Sequence, residues 1–202
     1  PIARCKDLTL TLDENGQAPF QPIDLDSGSS DNCGILSFAI TDGPVNIGNC
    51  GYIGGNSVNL TVFDHSGNSS TCNARVRVID NTPPVAKCKD LTLTLDATGH
   101  ASIPPPAGNI DNGSFDNCGL DTPYPFLLSD YSFDCSEVGA NTITQTVTDQ
   151  NGLSSTCTGT VTVVDATPPI AQCQDVTIQL DADGNASVAG AQLDSGSSDA
   201  CG

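Results

Sequence analysis

The segment Cys-Lys-Asp-Leu-Thr-Leu-Thr-Leu-Asp at 5–13 returns unchanged at 88–96, and again as Cys-Gln-Asp-Val-Thr-Ile-Gln-Leu-Asp at 173–181. A chain that repeats itself at such a period builds one supersecondary unit per copy and relies on neighbouring copies for burial. From Cys5 to Cys88 to Cys173 the spacing is 83 and then 85 residues. The other cysteines keep step: Cys33, Cys118 and Cys201 each follow an Asp-rich loop, Cys50 corresponds to Cys135, and Cys72 to Cys157. The chain therefore divides into a first copy at 1–83, a second at 84–168 and the first part of a third at 169–202. A third copy broken off at its second cysteine reads as a window on a longer array or polymer.

Within a copy the hydrophobic period is two. Leu-Thr-Leu-Thr-Leu at 8–12, Val-Asn-Leu-Thr-Val at 58–62, Ile-Thr-Gln-Thr-Val at 143–147 and Thr-Val-Thr-Val-Val at 160–164 alternate as strands with one face in a core and one in water. Gly- and Asn-rich stretches at 14–16, 27–34 and 64–68 punctuate them, and no helical stripe of useful length occurs. The pattern predicts an all-β fold: tandem immunoglobulin-like β-sandwich repeats of about seven antiparallel strands each.

A unit of about 85 residues buries only about 60% of its unfolded surface, and with 6 Phe, 3 Tyr and no Trp the core is thin. Covalent support is expected from the 10 cysteines. No Cys-x-x-Cys pair suggests a metal knuckle, so the count points to disulfides and an extracellular, secreted setting. In a sandwich of this pattern the first and last strands run side by side from the same pole, which sets Cys5 near Cys72 and Cys88 near Cys157. Cys33–Cys50 and Cys118–Cys135 follow by elimination, although four cysteines allow three connectivities. On the chain-entropy account the long closure would stabilise by roughly 4 kcal/mol and the short one by roughly 3.

The run Pro-Pro-Val-Ala-Lys-Cys at 83–88, the Asp-Asn-Cys-Gly loop, and the Asp-x-x-Gly-x-Ser-Ser-Thr-Cys segments at 64–72 and 149–157 resemble the hyalin repeat (HYR) family. The similarity is greatest to four-cysteine versions in long secreted proteins of environmental bacteria, and it covers the whole chain. It implies an immunoglobulin-like sandwich and a part in cell adhesion or extracellular scaffolding, without catalysis. The first copy departs at Ile53-Gly54-Gly55, where the second has Glu137-Val138-Gly139.

The formal charge is −18, from 24 acidic and 6 basic residues. Such a surface repels nucleic-acid phosphates and anionic lipid, and no stretch of 18 apolar residues could span a membrane. The acids are placed regularly. Asp26 and Asp31, Asp111 and Asp116, and Asp194 and Asp199 flank Gly-Ser turns before the second cysteine of each copy. Asp64 and Asp149 open the last hairpin, and Asp80 and Asp165 precede the Thr-Pro-Pro linkers. In a sandwich the loops and the incoming linker share one pole, so these ten acids are the candidate ligands of Ca²⁺, which takes six to eight oxygens. Asp, Asn, Ser and Gly are also good turn formers, and that alternative stays open.

Asp181-Ala-Asp183-Gly184-Asn185 looks like the start of an EF-hand but has Gln192 where the loop needs Glu, so it reads as a hairpin turn like 13–16 and 96–99. Asp64-His65-Ser66 holds the residue types of a hydrolase triad, yet neighbours in one turn cannot take triad geometry. Glycosylation sequons stand at Asn59, Asn68, Asn112 and Asn185. The reading that follows is a non-enzymatic structural component of an extracellular fibre or stalk. Its partners are further copies of the repeat, in the same chain or as a filament. The alternative is an adhesin module whose loops bind a glycan or a cell-surface partner.

Overall fold

The computed structural model describes residues 1–104 and 110–202 and is all-β, with one four-residue helix, α1 (Gly190–Leu193). In the first copy β1 (Leu8–Thr11), β2 (Ile35–Asp42), β3 (Gly54–Asp64) and β4 (Ser69–Ile79) form one sheet in the order β1-β4-β3-β2. The β3–β4 hairpin carries its longest ladder, from Gly54↔Val78 to Phe63↔Ser69. Strand β1 joins parallel to β4, from Leu8↔Val76 to Thr11↔Ile79. Alternation decides which side faces in. Ala74, Val76 and Val78 are buried while Arg75 and Arg77 between them are exposed. They pack with Leu10, Leu12, Leu25, Ile47, Val58 and Leu60 in one core.

The second copy repeats the plan. Strands β5 (Leu91–Thr94), β7 (Phe126–Leu128), β9 (Gly139–Thr148) and β10 (Ser154–Val164) are ordered β5-β10-β9-β7, and β6 (His100–Ser102) pairs with β8 (Ser132–Asp134). Again the first strand lies parallel to the last, Leu91↔Val161 to Thr94↔Val164. Leu95, Ile103, Ile110, Phe133, Ile143, Val161 and Val163 make a second core.

Among the described residues the first copy has four regular strands. Single bridges at Ile2↔Ser30, Cys5↔Asp26 and Gln17↔Asn49 add isolated antiparallel pairings outside these strands. The third copy keeps two of these bridges, Ile170↔Ser198 and Cys173↔Asp194. The loop that differs in sequence at Ile53-Gly54 has one form in both copies: a 3₁₀ turn (Cys50–Tyr52 or Cys135–Glu137) leads into the long strand β3 or β9.

Two compact units interleave along the chain. The first comprises Pro1–Val85, Ser114–Pro125 and Val147–Ser155; the second comprises Ala86–Gly113, Phe126–Thr146 and Thr156–Gly202.

The disulfides correct the expected pairing. Cys5 bonds Cys72 and Cys88 bonds Cys157, first strand to last. Cys33–Cys50 and Cys118–Cys135 do not form: Cys50 bonds Cys118, Cys135 bonds Cys201, and Cys33 is free and exposed, as is Cys173. The reason lies in the register. Cys33 precedes Ile35, which pairs with Asp64 at one end of β3, whereas Cys50 leads into Gly54 at the other end. At ~3.4 Å per residue the length of β3 separates those ends by roughly 35 Å, and a disulfide needs Cα atoms within about 7 Å. The second disulfide joins one copy's sequence to the next, Cys50 to Cys118 and Cys135 to Cys201, and does not close a copy on itself.

Candidate metal centre

The structure brings together three of the ten candidate acids. Asp80, Asp116 and Asp149 each offer an oxygen, and these atoms all lie within 4.8 Å of one another. All three belong to the first compact unit, Asp80 from the end of the first sequence copy and the other two from loops of the second.

Each acid is held by its own loop. Asp149 opens the turn between β9 and β10, where its Oδ1 accepts the amides of Asn151 at 2.7 Å and Leu153 at 2.9 Å. Its side chain is buried, 1% exposed, and Oδ2 has no hydrogen-bond partner among the described residues. Asp64 holds the corresponding turn in the first copy, accepting the amides of Ser66 and Asn68 at 2.8 Å each. There the second oxygen accepts the Asn68 side-chain amide at 2.8 Å. Leu153 replaces that asparagine in the second copy, so the Oδ2 of Asp149 is left for something else.

Asp116 Oδ2 accepts the amide of Cys118 at 2.7 Å, and its buried Oδ1 is also unpartnered. Asp80, 7% exposed, accepts the amide of Thr82 at 3.0 Å on Oδ1 and the Asn151 side-chain amide at 3.2 Å on Oδ2. The Asn117 amide approaches Asp80 Oδ1 at 3.5 Å, while the Asn117 carbonyl oxygen Oδ1 is buried without a partner. Desolvation raises the Asp116 carboxyl above the usual aspartate range, and the charges of Asp80 and Asp149 push it the same way. Among the described residues none of the three pairs with a Lys or Arg.

Three carboxylates and unpartnered buried oxygens form an all-oxygen donor set, which suits a hard cation such as Ca²⁺ and not Zn²⁺, which favours nitrogen and sulfur. A cation would remove both the mutual repulsion and the cost of the orphaned acceptors. Asn117 and Asn151 were not singled out in sequence; both stand in Asp-rich turns, beside Asp116 and two residues after Asp149.

The other candidate acids have separate duties. Asp26 accepts the amides of Gly28 and Ser29, Asp111 those of Gly113 and the Gln145 side chain, and Asp194 those of Gly196 and Ser197. The first acid of each five-residue pair thus braces its own loop. Asp31 and Asp199 hold the amides of Cys33 and Cys201. Asp165 accepts the Thr167 amide as Asp80 accepts that of Thr82.

The turn at Asp181 has the hydrogen bonds of those at Asp13 and Asp96, with one carboxylate oxygen accepting the amides two and four residues on. At the sequons, Asn59 donates its side-chain amide to Asp42 and Asn68 to Asp64, and Asn68, Asn112 and Asn185 are exposed. No helix among the described residues is long and apolar enough to cross a membrane.

No family model matches the chain, and no curated protein matches it. Among solved structures it is similar to domains EC1-2 of human mucin-like protocadherin, at 12% identity over 80% of this chain and 97% of that one, with a TM-score of 0.39. It is similar to Drosophila N-cadherin EC1-4 at 13% identity over 78% of this chain and 48% of that one, TM-score 0.39. A third similarity is to protocadherin gamma B7 domains 1-4, at 16% identity over 88% of this chain, TM-score 0.33. The chain spans about half the length of that structure, 54%.

Proposed function

We propose that this chain is a run of hyalin-repeat-like sandwiches that serves as a structural, non-catalytic component of an extracellular fibre or stalk, with Ca²⁺ bound by Asp80, Asp116 and Asp149. One observation carries the cation: three carboxylates meet within 4.8 Å while buried oxygens of Asp116 and Asp149 lack partners among the described residues. Four disulfides support an oxidising, extracellular setting. Near-copies in tandem support a spacer whose length grows with each unit. The repeat copies at 1–83, 84–168 and 169–202 are the building units of this reading, and their partners are further copies.

The cation would couple the first copy to loops of the second, because its ligands come from both. Asp149→Asn tests this cleanly. The asparagine keeps the Oδ1 acceptor that holds the turn and replaces the unpartnered oxygen with an amide. Thermal denaturation of the native chain should show a rise in Tm with millimolar Ca²⁺ that EGTA reverses; at a hundredfold excess over Kd the stabilisation is about 2.7 kcal/mol. The D149N protein should be insensitive to Ca²⁺. Equal Tm in Ca²⁺ and EGTA for the native chain removes the cation from the proposal. Fibres that keep their order in EGTA would leave the scaffold role standing without it.

A further inference from the structure

Cys33 and Cys173 are free and exposed. Cys33 holds the place in its copy that Cys118 and Cys201 hold in theirs, and both of those are bonded, to Cys50 and Cys135. The local fold is shared. Each cysteine amide donates to the aspartate two residues earlier: Cys33 to Asp31 at 2.8 Å, Cys118 to Asp116 at 2.7 Å, and Cys201 to Asp199 at 2.8 Å.

The half that meets this loop is also built twice. In the turn at Asp13 a Cβ on Gly16 would stand 2.6 Å from Cys50 Sγ and 3.0 Å from the Asn117 carbonyl. In the turn at Asp96 a Cβ on Gly99 would stand 2.7 Å from Cys135 Sγ and 3.5 Å from the Ala200 carbonyl. The third such turn, at Asp181, has Gly184 in the same left-handed backbone region, φ 81° against 70° and 77°, with nothing among the described residues within 4 Å of its Cβ position. Among the described residues the Cys33 loop thus lacks the disulfide partner that the loops of Cys118 and Cys201 have.

We propose that Cys33 is a covalent attachment site for another copy of this repeat, which seats its Asp-x-x-Gly turn on the Asp31–Cys33 loop and bonds Cys33 through its own counterpart of Cys50 and Cys135. The link forms by thiol–disulfide exchange with a disulfide donor, either a low-molecular-weight disulfide or an oxidised dithiol protein. One cysteine thiolate attacks the donor's S–S bond and releases a first donor thiol. The second cysteine thiolate attacks the resulting mixed disulfide and releases the other. Two cysteines lose two electrons and two protons, and the donor disulfide is reduced to two thiols. The proposal does not depend on the cation.

Disulfide mapping of the full natural chain, recovered from the oxidising environment in which it assembles, tests it. Free thiols are alkylated with iodoacetamide before non-reducing proteolysis and mass spectrometry, and the Cys50–Cys118 peptide pair serves as the internal control. The expected result is a Cys33 peptide joined to a Cys50-type peptide, with loss of the alkylated Cys33 peptide. Gel mobility with and without reductant then separates a partner copy in the same chain from one in another chain. Alkylated Cys33, or Cys33 joined to glutathione, to Cys173 or to a second Cys33, overturns the proposal.

Discussion

The side-chain amide of Asn117 donates to the backbone carbonyl of Asp13, 104 residues earlier, at 2.9 Å. The bond fixes the turn of the first copy beside the Asp116–Cys118 loop, where Cys50 Sγ lies 3.5 Å from the Asn117 carbonyl. A glycine is required there twice over, by φ of 70° at Gly16 and by the missing room for a Cβ. Gly16→Ala should cost about 1–3 kcal/mol and leave a fraction of Cys50 and Cys118 reduced. Gly28→Ala has a similar positive φ with nothing among the described residues within 4 Å, so it should cost about 1 kcal/mol and leave every disulfide intact. Urea denaturation together with thiol counting separates the two.

Removing the clamp between first and last strands should be expensive. Cys5–Cys72 closes a sequence separation of 67 residues and Cys88–Cys157 one of 69. The paired change Cys5→Ser with Cys72→Ser should lower stability by about 4 kcal/mol on the chain-entropy account. The expected closure of 17 residues between Cys33 and Cys50 is replaced by links of 68 and 66 residues, Cys50–Cys118 and Cys135–Cys201. Their loss should therefore cost as much as the clamps and not less. Denaturant titration of each paired variant checks the equality.

Acid should weaken the fold through the turn aspartates. Asp96 lies below its ordinary value of 3.8 because the Thr98 side chain and the amides of His100 and Thr98 donate to its carboxylate. Asp13 and Asp134 are lowered by similar hydrogen bonds, from Gln17 and Asn15 and from Ser136. A depressed folded pKa means that the charged form favours the folded state. That stabilisation is complete well above 3.8 and is lost as pH falls through the lower folded values. Tm should hold steady toward pH 5 and drop toward about pH 2. Asp96→Asn should start lower and drop less, as calorimetry across that range would show.

Removing one oxygen from the shared cluster should act differently with and without cation. In EGTA, Asp149→Asn relieves repulsion with Asp80 and Asp116 and should match or exceed the native Tm. In Ca²⁺ the order should reverse. A D149N protein less stable than native under both conditions would mean that the carboxylate serves the turn alone.

The strands and most of the core were legible because period-two alternation leaves little choice. Leu10 and Leu12 are buried in the first copy, and Val161 and Val163 in the second, as the alternation requires. Asp80, Asp116 and Asp149 were within the acidic set read from sequence, but the set was too wide. Asp26 and Asp194 instead accept the backbone amides of their own Gly-Ser loops and are less buried than Asp80 and Asp149, which composition does not reveal. Cys50–Cys118 was hidden for another reason. Four cysteines in one period invite pairing within that period, and only the register of β2 on β3 shows Cys33 and Cys50 at opposite ends of a strand.

The parallel contact of β1 with β4, sealed by Cys5–Cys72, has a mechanical consequence. Tension applied along the chain enters the first copy at Cys5 and leaves at Cys72, so the polypeptide between them carries no load. Without the bond, unravelling would release 67 residues, a lengthening of roughly 230 Å at ~3.5 Å per residue. With it that slack stays locked, and the second copy is shielded in the same way by Cys88–Cys157. Under a pull the residues inside the two clamps keep their length, and extension falls to those outside them, such as 73–87.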